Sequence, residues 1–156
     1  VEKTVQLYHQ LSGRAGREGK PSKVYFQTIN KKNNVISQII NPDPYIFLEN
    51  ELELRKKFKL PPFERFVSII ISCKDASMSE KIAYDLVISL KKKTDGNILG
   101  PVNAPIYKIR GKYRNRILIR SSKNINIQEQ ILNTLKNFKL PPQIKLSVDV
   151  DPINFN

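Results

Sequence analysis

Apolar positions in the second part of the chain follow two periods, one typical of strands and one typical of helices. Residues 66–72 are almost continuously apolar and rich in β-branched types, which predicts a strand covered on both faces. Ile82, Leu86 and Leu90 then recur at every fourth position, behind a segment with the capping-box pattern, Ser77-Met78-Ser79-Glu80. We therefore predict a buried strand followed by a helix that begins near Ser77.

Shorter elements complete this part of the chain. Three apolar runs predict strands, at 98–99, 106–109 and 117–119, of which the last two are joined through Gly111. Residues at helical spacing predict another helix: Ile127, Ile131, Leu135 and Phe138. Along 144–150 the even-numbered positions are apolar and are expected to face inward, while the odd-numbered positions face outward. The order from residue 65, β-α-β-β-α-β, predicts an α+β, ferredoxin-like domain with two helices on one face of a four-stranded antiparallel sheet.

The first part of the chain has a different organisation. Its pattern predicts a helix, a glycine-rich turn, a strand and a second helix, at 3–12, 13–19, 23–28 and 33–40. Two prolines in Asn41-Pro42-Asp43-Pro44 then mark a boundary, and Asp43 and Pro44 are placed to start a helix over about 44–58. We expect one domain to occupy residues 1–42 and the next to occupy residues 43–156.

Composition adds a strong charge imbalance to this picture. The 156 residues include 27 Lys and Arg against 14 Asp and Glu, which gives a formal net charge of +13 and favours a polyanionic partner, most often nucleic acid. A single cysteine, Cys73, excludes an internal disulfide and a cysteine-based zinc site within the chain. Because there is no membrane-spanning apolar run, we expect a cytoplasmic protein, and the start at Val1 suggests part of a longer one.

The end of the first predicted helix carries the motif Gln-x-x-Gly-Arg-x-Gly-Arg, formed by Gln10, Gly13, Arg14, Gly16 and Arg17. The glycines let the backbone turn sharply, so that two planar guanidinium groups can point at one place and each can bind phosphate oxygens. Arginines supplied in this way from a neighbouring lobe stabilise the charge on a transferring γ-phosphoryl group. The alternative interpretation is a glycine-arginine loop that binds nucleic acid or is simply solvated.

This motif resembles the last conserved motif of superfamily 2 helicases, in which the glutamine and both arginines contact ATP held in the other motor lobe. Further segments match in the same order: Gly19-Lys20-Pro21, Phe26-Gln27-Thr28, Glu51-Leu52 with Arg55, Leu60-Pro61-Pro62-Phe63, Leu99-Gly100-Pro101, Gly111-Lys112-Tyr113-Arg114 and Asp149-Val150-Asp151-Pro152. Together they resemble the C-terminal portion of the PriA family, the primosomal replication-restart helicases. The resemblance covers essentially the whole chain.

The resemblance implies that residues 1–42 are the tail of the second RecA-like motor lobe and that residues 43–156 form a C-terminal domain that binds DNA and partners. Arg14 and Arg17 would then be catalytic, and Gln10, Gly13 and Gly16 would bind the nucleotide with them. The family's phosphate loop, Mg-binding acidic motif and zinc-binding cysteines precede Val1. ATP, Mg²⁺ and zinc therefore belong to the longer protein, and this chain alone is expected to bind none of them and to be inactive.

A basic stretch with interleaved tyrosines is the second candidate site. Its predicted DNA-binding residues are Lys108, Arg110, Lys112, Tyr113, Arg114 and Arg116. On a strand, Arg114 and Arg116 share one side while Ile117 points to the other, so burying the isoleucine would turn the arginines outward toward phosphates. Tyr113 would be available to stack on an unpaired base. The alternative is a solvated strand face that is partly paired with Asp149 or Asp151.

The resemblance also implies partners. They are branched or fork DNA, other primosome proteins and the acidic C-terminal tail of single-stranded DNA-binding protein, whose contact is expected at Lys123 and Gln128. Asn124 and Asn126 stand where the family can present a basic residue, which is a departure from its pattern. No membrane partner and no metal site are predicted. The alternative function is a non-enzymatic, basic α+β module of ribosomal-protein type that binds RNA, but it leaves the Gln-Gly-Arg-Gly-Arg motif unexplained.

Overall fold

The chain divides by its backbone contacts into two units, Val1–Leu54 and Arg55–Asn156. A computed structural model describes residues 2–12, 23–25, 27–30, 36 and 44–152. In chain order the described elements are α1 (Glu2–Ser12), α2 (Pro44–Lys57), β1 (Glu64–Cys73), α3 (Ala76–Lys93), β2 (Asn97–Ile109), β3 (Lys112–Ser122), α4 (Ile127–Lys136) and β4 (Lys145–Val150). The second unit holds all four strands.

The strands of the second unit form one antiparallel sheet in the order β2-β3-β1-β4. β1 lies in the middle, where Ile69 faces Ile117 of β3 on one side and Val148 of β4 on the other. The chain order β-α-β-β-α-β with this strand order is the ferredoxin-like arrangement. The fold predicted for this part of the chain is therefore confirmed.

One face of this sheet is covered by α3 and α4. Its core contains fully buried aliphatic side chains from both strands and helices: Ile69, Ile71, Leu86, Leu90, Ile117, Ile119 and Ile127. Burying a side chain of this size stabilises the fold by about 1.5–3 kcal/mol relative to leaving it in water. β4 is less covered than predicted, because Val148 and Val150 remain about 40% exposed.

α3 begins earlier than its capping-box pattern predicts. The N-cap is Asp75, whose side chain accepts a hydrogen bond of 2.8 Å from the backbone N–H of Met78. Ser77 lies inside the first turn, so its prediction as the cap is wrong. The helix starts two residues closer to β1 than predicted, and Ser79 lies in the interior, where its hydroxyl donates to the carbonyl oxygen of Ile71. Both candidates are good capping types, and the short connection from β1 favours the first.

β2 is longer than predicted, because the runs at 98–99 and 106–109 belong to one strand. β2 is an edge strand of the described sheet, where prolines are tolerated since outward N–H groups need no partner. Its pairing with β3 shifts register after Leu99 and again after Asn103. Gly100 lies at the first shift with a φ of +103°, a conformation that L side chains rarely adopt.

The first unit is described in part. α1 and the start of α2 at Pro44 are confirmed, and α2 ends at Lys57, one residue before the predicted end. The strand predicted at 23–28 is wrong for the residues described there, 23–25 and 27–28, which are coil with an exposed Tyr25. β-branched and aromatic residues need a paired neighbour to form a strand, and propensity alone does not supply one. The helix predicted at 33–40 lies outside the described residues except for Ile36, which is helical.

Candidate nucleic-acid interface

The open face of the sheet, opposite α3 and α4, carries a row of basic side chains on β3. Along this strand, buried residues alternate with half-buried ones, and Asn115, Ile117, Ile119 and Ser121 form the buried set. The half-buried set includes Lys112, Arg114, Arg116 and Arg120. The two sets lie on opposite faces because successive side chains of a strand alternate. The prediction that burial of Ile117 turns Arg114 and Arg116 outward is confirmed.

Two ion pairs lie near one end of the basic row, and that of Arg120 is on the open face. Arg120 forms an ion pair with Glu64, with 2.8 Å between its Nε and a carboxylate oxygen. Arg65 pairs with Asp151 at 3.2 Å, and the same carboxylate accepts a hydrogen bond from the backbone N–H of Phe66. Asp151 thus forms an ion pair, but with Arg65 rather than with the basic stretch that the alternative interpretation predicts. Both ion pairs lie at the start of β1.

The other end of the open face, near the end of β1, is a groove of about 360 Å³. Among the residues that the structure describes, it is lined by four basic residues and no acidic one: Arg110, Lys112, Arg114 and Lys145, with Ile70, Ser72, Ile109 and Ser147. The sheet register places Arg114 and Lys145 on either side of Ser72. We refer to this set as the basic groove. Its positive field is not offset by any lining carboxylate, so it favours an anion.

Lys145 is the member of the basic groove that the sequence did not suggest as a ligand. It comes from β4, 29 residues after Arg116, and reaches the groove because β4 pairs with β1. The sequence feature that could have indicated Lys145 was its outward position in the alternating pattern of 144–150. Strand order was needed to place it beside Arg114, and the alternation alone does not give strand order.

A tight turn positions the tip of the β2–β3 hairpin. Arg110 and Gly111 have φ values of 49° and 74°, as expected for the two central residues of a type I′ turn. This turn pairs Ile109 with Lys112 and brings Arg110 into the basic groove. Arg114 is held by a 3.3 Å hydrogen bond from its guanidinium to the carbonyl oxygen of Ile106. The turn therefore positions Arg110, and the hydrogen bond to Ile106 positions Arg114.

Tyr113 and Lys108 lie on the opposite side of the sheet from the basic groove. They face each other across the hairpin, and Tyr113 is also paired with Cys73 on the helix-covered face. The amino group of Lys108 lies 4.6 Å from the centre of the Tyr113 ring and 3.1 Å from the Tyr113 hydroxyl. The centres of the Tyr107 and Tyr113 rings are 5.3 Å apart. The predicted DNA-binding set is thus divided between two faces, and the DNA-binding roles of all six residues stay predictions.

The predicted nucleotide-binding residues are mostly beyond the described ranges. Gln10 lies in α1 with an exposed side chain. Gly13, Arg14, Gly16 and Arg17 lie outside the described residues, so their roles with ATP stay predictions. Within the ranges that the structure describes, no three His, Cys, Asp or Glu side chains come together as metal ligands, and no helix is long and apolar enough to cross a membrane.

The two residues predicted to bind a partner tail lie in different concavities. Lys123 borders a pocket of about 380 Å³ near the ion pairs, lined also by Arg55, Pro61, Pro62, Glu64, Arg65 and Asp151. Gln128 borders a mostly apolar groove between α4 and β4, with Ile131, Leu132, Leu135, Val67, Val148 and Val150. The structure therefore does not bring Lys123 and Gln128 together in one pocket. Their partner-binding roles stay predictions.

The family comparison matches nearly the same part of the chain as the second unit. The family model of the primosomal protein N C-terminal domain matches residues 56–153, which include the whole sheet. The chain belongs to this family. The predicted resemblance to PriA is confirmed at the level of the family.

Curated relatives extend the similarity to nearly the whole chain. Replication restart protein PriA of Rickettsia conorii is 38% identical over 154 residues, which are 99% of this chain and 24% of that protein. The proteins of the same name from Bacillus subtilis and Haemophilus influenzae are 31% and 28% identical over 97% of this chain. The chain spans about a fifth to a quarter of the length of these relatives.

Proposed function

We propose that this chain is the C-terminal part of an ATP-dependent 3′-to-5′ DNA helicase that recognises stalled or branched replication forks and restarts replication by primosome assembly. The observation that carries this proposal is the similarity of nearly the whole chain to proteins named replication restart protein PriA. Such a protein would work in the cytoplasm.

In this proposal residues 1–42 are the tail of the second motor lobe. Arg14 and Arg17 stabilise charge on the γ-phosphate of ATP bound elsewhere in the protein, with Arg17 as the finger, and Gln10 links the nucleotide to lobe closure. The exposed side chain of Gln10 in α1 is compatible with such a contact. ATP, Mg²⁺ and zinc are held by residues outside this chain.

Residues 43–156 contact DNA and protein partners in this proposal. The open face of the sheet supports DNA binding, since its outward arginines and lysine can neutralise phosphates. Lys123 and Gln128 are proposed to contact the acidic tail of single-stranded DNA-binding protein. Because they border separate pockets, such a tail would have to reach both the ion-pair region and the apolar groove.

Fork-DNA binding by the 156-residue chain tests the DNA-binding part of the proposal. We expect affinity to fall steeply with salt, and the Arg114→Ala, Arg116→Ala double variant to bind more weakly. Fluorescence anisotropy with labelled fork DNA measures both effects. The control is Lys91→Ala, which removes a charge from the last turn of α3. Equal affinity of the double variant and the unaltered chain would contradict the proposal, and so would a clear preference for structured RNA.

ATP turnover by the longer protein tests the catalytic part. Arg17→Ala should abolish turnover while DNA affinity is retained, because a finger acts on the γ-phosphate and not on DNA. Lys23→Ala, at an exposed position of the first unit, is the matched control. Normal turnover in Arg17→Ala would exclude the finger role.

A further inference from the structure

The residues that line the basic groove, and the spacing between its strands, indicate a more specific ligand than the net charge of the chain does. We propose that it holds one sugar–phosphate strand of duplex DNA, which runs along β1 between Arg114 and Lys145, and that Lys145 is a phosphate ligand. The inference rests on the proposed function and adds to it a binding mode and a residue outside the basic stretch.

The width of the groove follows from the sheet. Arg114, Ser72 and Lys145 lie side by side on β3, β1 and β4. Because neighbouring strands are about 4.8 Å apart, the backbones of Arg114 and Lys145 are separated by roughly 10 Å. A gap of this size admits a single sugar–phosphate strand, with one cation on each side of it. β1 forms the floor of the gap.

The floor of the groove supplies neutral hydrogen-bond donors. Ser72 lies between the two cations, and Ser147 of β4 lies beside Ile70 in the next row along β1. Both hydroxyls can donate to phosphate oxygens, while a flat aliphatic surface at Ile70 can contact the sugar. Cations at the sides and hydroxyls on the floor are a suitable set of partners for a backbone phosphate.

The absence of carboxylates separates this groove from its neighbour on the same domain. The pocket at Lys123 also contains cations, but Glu64 and Asp151 line it and pair with Arg120 and Arg65. Within the described part of the chain, the basic groove has four basic lining residues and no acidic one. A polyanion therefore gains more from the groove, because no lining carboxylate repels it.

The absence of an aromatic lining residue favours a duplex over a single strand. Proteins that prefer single strands stack bases on exposed aromatic rings, each worth about 1–3 kcal/mol. None of the described residues that line the groove is aromatic, and Tyr113 lies on the other face with its ring against Lys108 and Tyr107. The groove thus offers contacts to backbone and none suited to unpaired bases. Binding is expected to be independent of sequence.

Binding of a 20-base-pair DNA duplex by the 156-residue chain tests this inference, measured by anisotropy at several salt concentrations. Each phosphate contact contributes about −0.9 to the slope of log affinity against log salt, so Lys145→Ala should bind about eightfold more weakly at ~0.1 M salt, with a slope smaller by about 0.9. Lys145→Arg should keep both affinity and slope. Lys92→Ala, which removes an equally exposed charge from α3 on the covered side, should bind like the unaltered chain.

The outcomes distinguish this inference from the proposed function. If Lys145→Ala binds normally while Arg114→Ala is weakened, the chain binds DNA but the groove inference is wrong. Tighter binding of a single strand of the same sequence, or of an RNA duplex, would also overturn the inference. If no variant changes the affinity, or the unaltered chain binds no DNA, the DNA-binding part of the proposed function fails with it. Thermal unfolding of each variant, expected to match the unaltered chain, shows whether a loss of binding reflects a loss of folding.

Discussion

β3 presents alternate residues to the two faces of the sheet, and the two sets differ in composition. The covered face holds aliphatic side chains that α3 and α4 exclude from water. The open face holds a basic row, with the ion pair of Arg120 and Glu64 at one end and a groove at the other that has no carboxylate among its described lining residues. Strand alternation thus lets one set of residues stabilise the domain while its neighbours remain available to a ligand.

This division has a consequence for mutations. Changes on the covered face should alter the free energy of unfolding and leave the DNA affinity of the folded molecules unchanged. Changes to the basic groove should lower the DNA affinity and leave the free energy of unfolding nearly unchanged. Adjacent residues on β3 provide the sharpest pairs, because they share a strand and differ only in the face they occupy.

The largest expected effect on stability is that of Ile117→Ala. Ile117 is fully buried in the core, so the substitution should lower the free energy of unfolding by about 2–5 kcal/mol through lost contacts and a cavity. Leu118→Ala, on the open face one residue later, should cost less than half as much because that side chain is already partly in water. Urea denaturation of both variants measures the difference. Equal costs would contradict the division between the faces.

A backbone effect is expected at Gly100, where β2 changes register. A Cβ there would lie 2.9 Å from the carbonyl oxygen of Arg116 at a φ of +103°, so Gly100→Ala should cost about 1–3 kcal/mol. Gly111→Ala is the control, because its φ of +74° is also unfavourable but no atom lies within 4 Å of the added carbon. Its cost should be smaller, about 1 kcal/mol. A larger cost at Gly111 would mean that the hairpin turn, and not the register shift, limits the position of β2.

A smaller effect is expected at the start of α3. Asp75→Ala removes the acceptor for the N–H of Met78 and should cost about 1 kcal/mol, whereas Ser77→Ala should be close to neutral. Thermal or urea unfolding of the two variants decides between the observed cap and the capping box. A larger loss for Ser77→Ala would show that the helix begins at the later position. DNA affinity should be unchanged in both.

Much of the second unit follows from the sequence, because its elements have strong periodicity. The helix through Leu86 and the alternation around Ile117 gave the correct element and the correct buried side. The apolar run at 66–72 gave the correct strand, but its predicted cover on both faces is wrong at Ile70 and Ser72, which are half-buried and line the basic groove on the open face. The N-cap of α3 and the extent of β2 were not predicted correctly from the sequence. Asp75 and Ser77 are both good capping types and compete within one turn at the start of α3. The extent of β2 depends on its edge position, which tolerates Pro101 and Pro105 and follows from strand order.

The site was less predictable than the fold. The basic stretch correctly indicated Arg114 and Arg116 as outward, but it grouped them with Tyr113 and Lys108, which the hairpin places on the other face. Lys145 was not grouped with them, because its proximity depends on the pairing of β4 with β1. Residues that are close in sequence can therefore be separated by strand alternation, and distant ones can be joined by strand pairing.

The most direct test of the division between the two faces is one chain in which all four basic residues of the groove are replaced by alanine: Arg110, Lys112, Arg114 and Lys145. The slope of log duplex affinity against log salt, measured beside the unaltered chain, should be smaller by about 3.6, which is four times the contribution of one phosphate contact. Urea unfolding of the same variant should remain within about 1 kcal/mol of the unaltered chain, since surface substitutions away from the core usually have small effects. An unchanged salt slope, or loss of the folded state, would contradict the account.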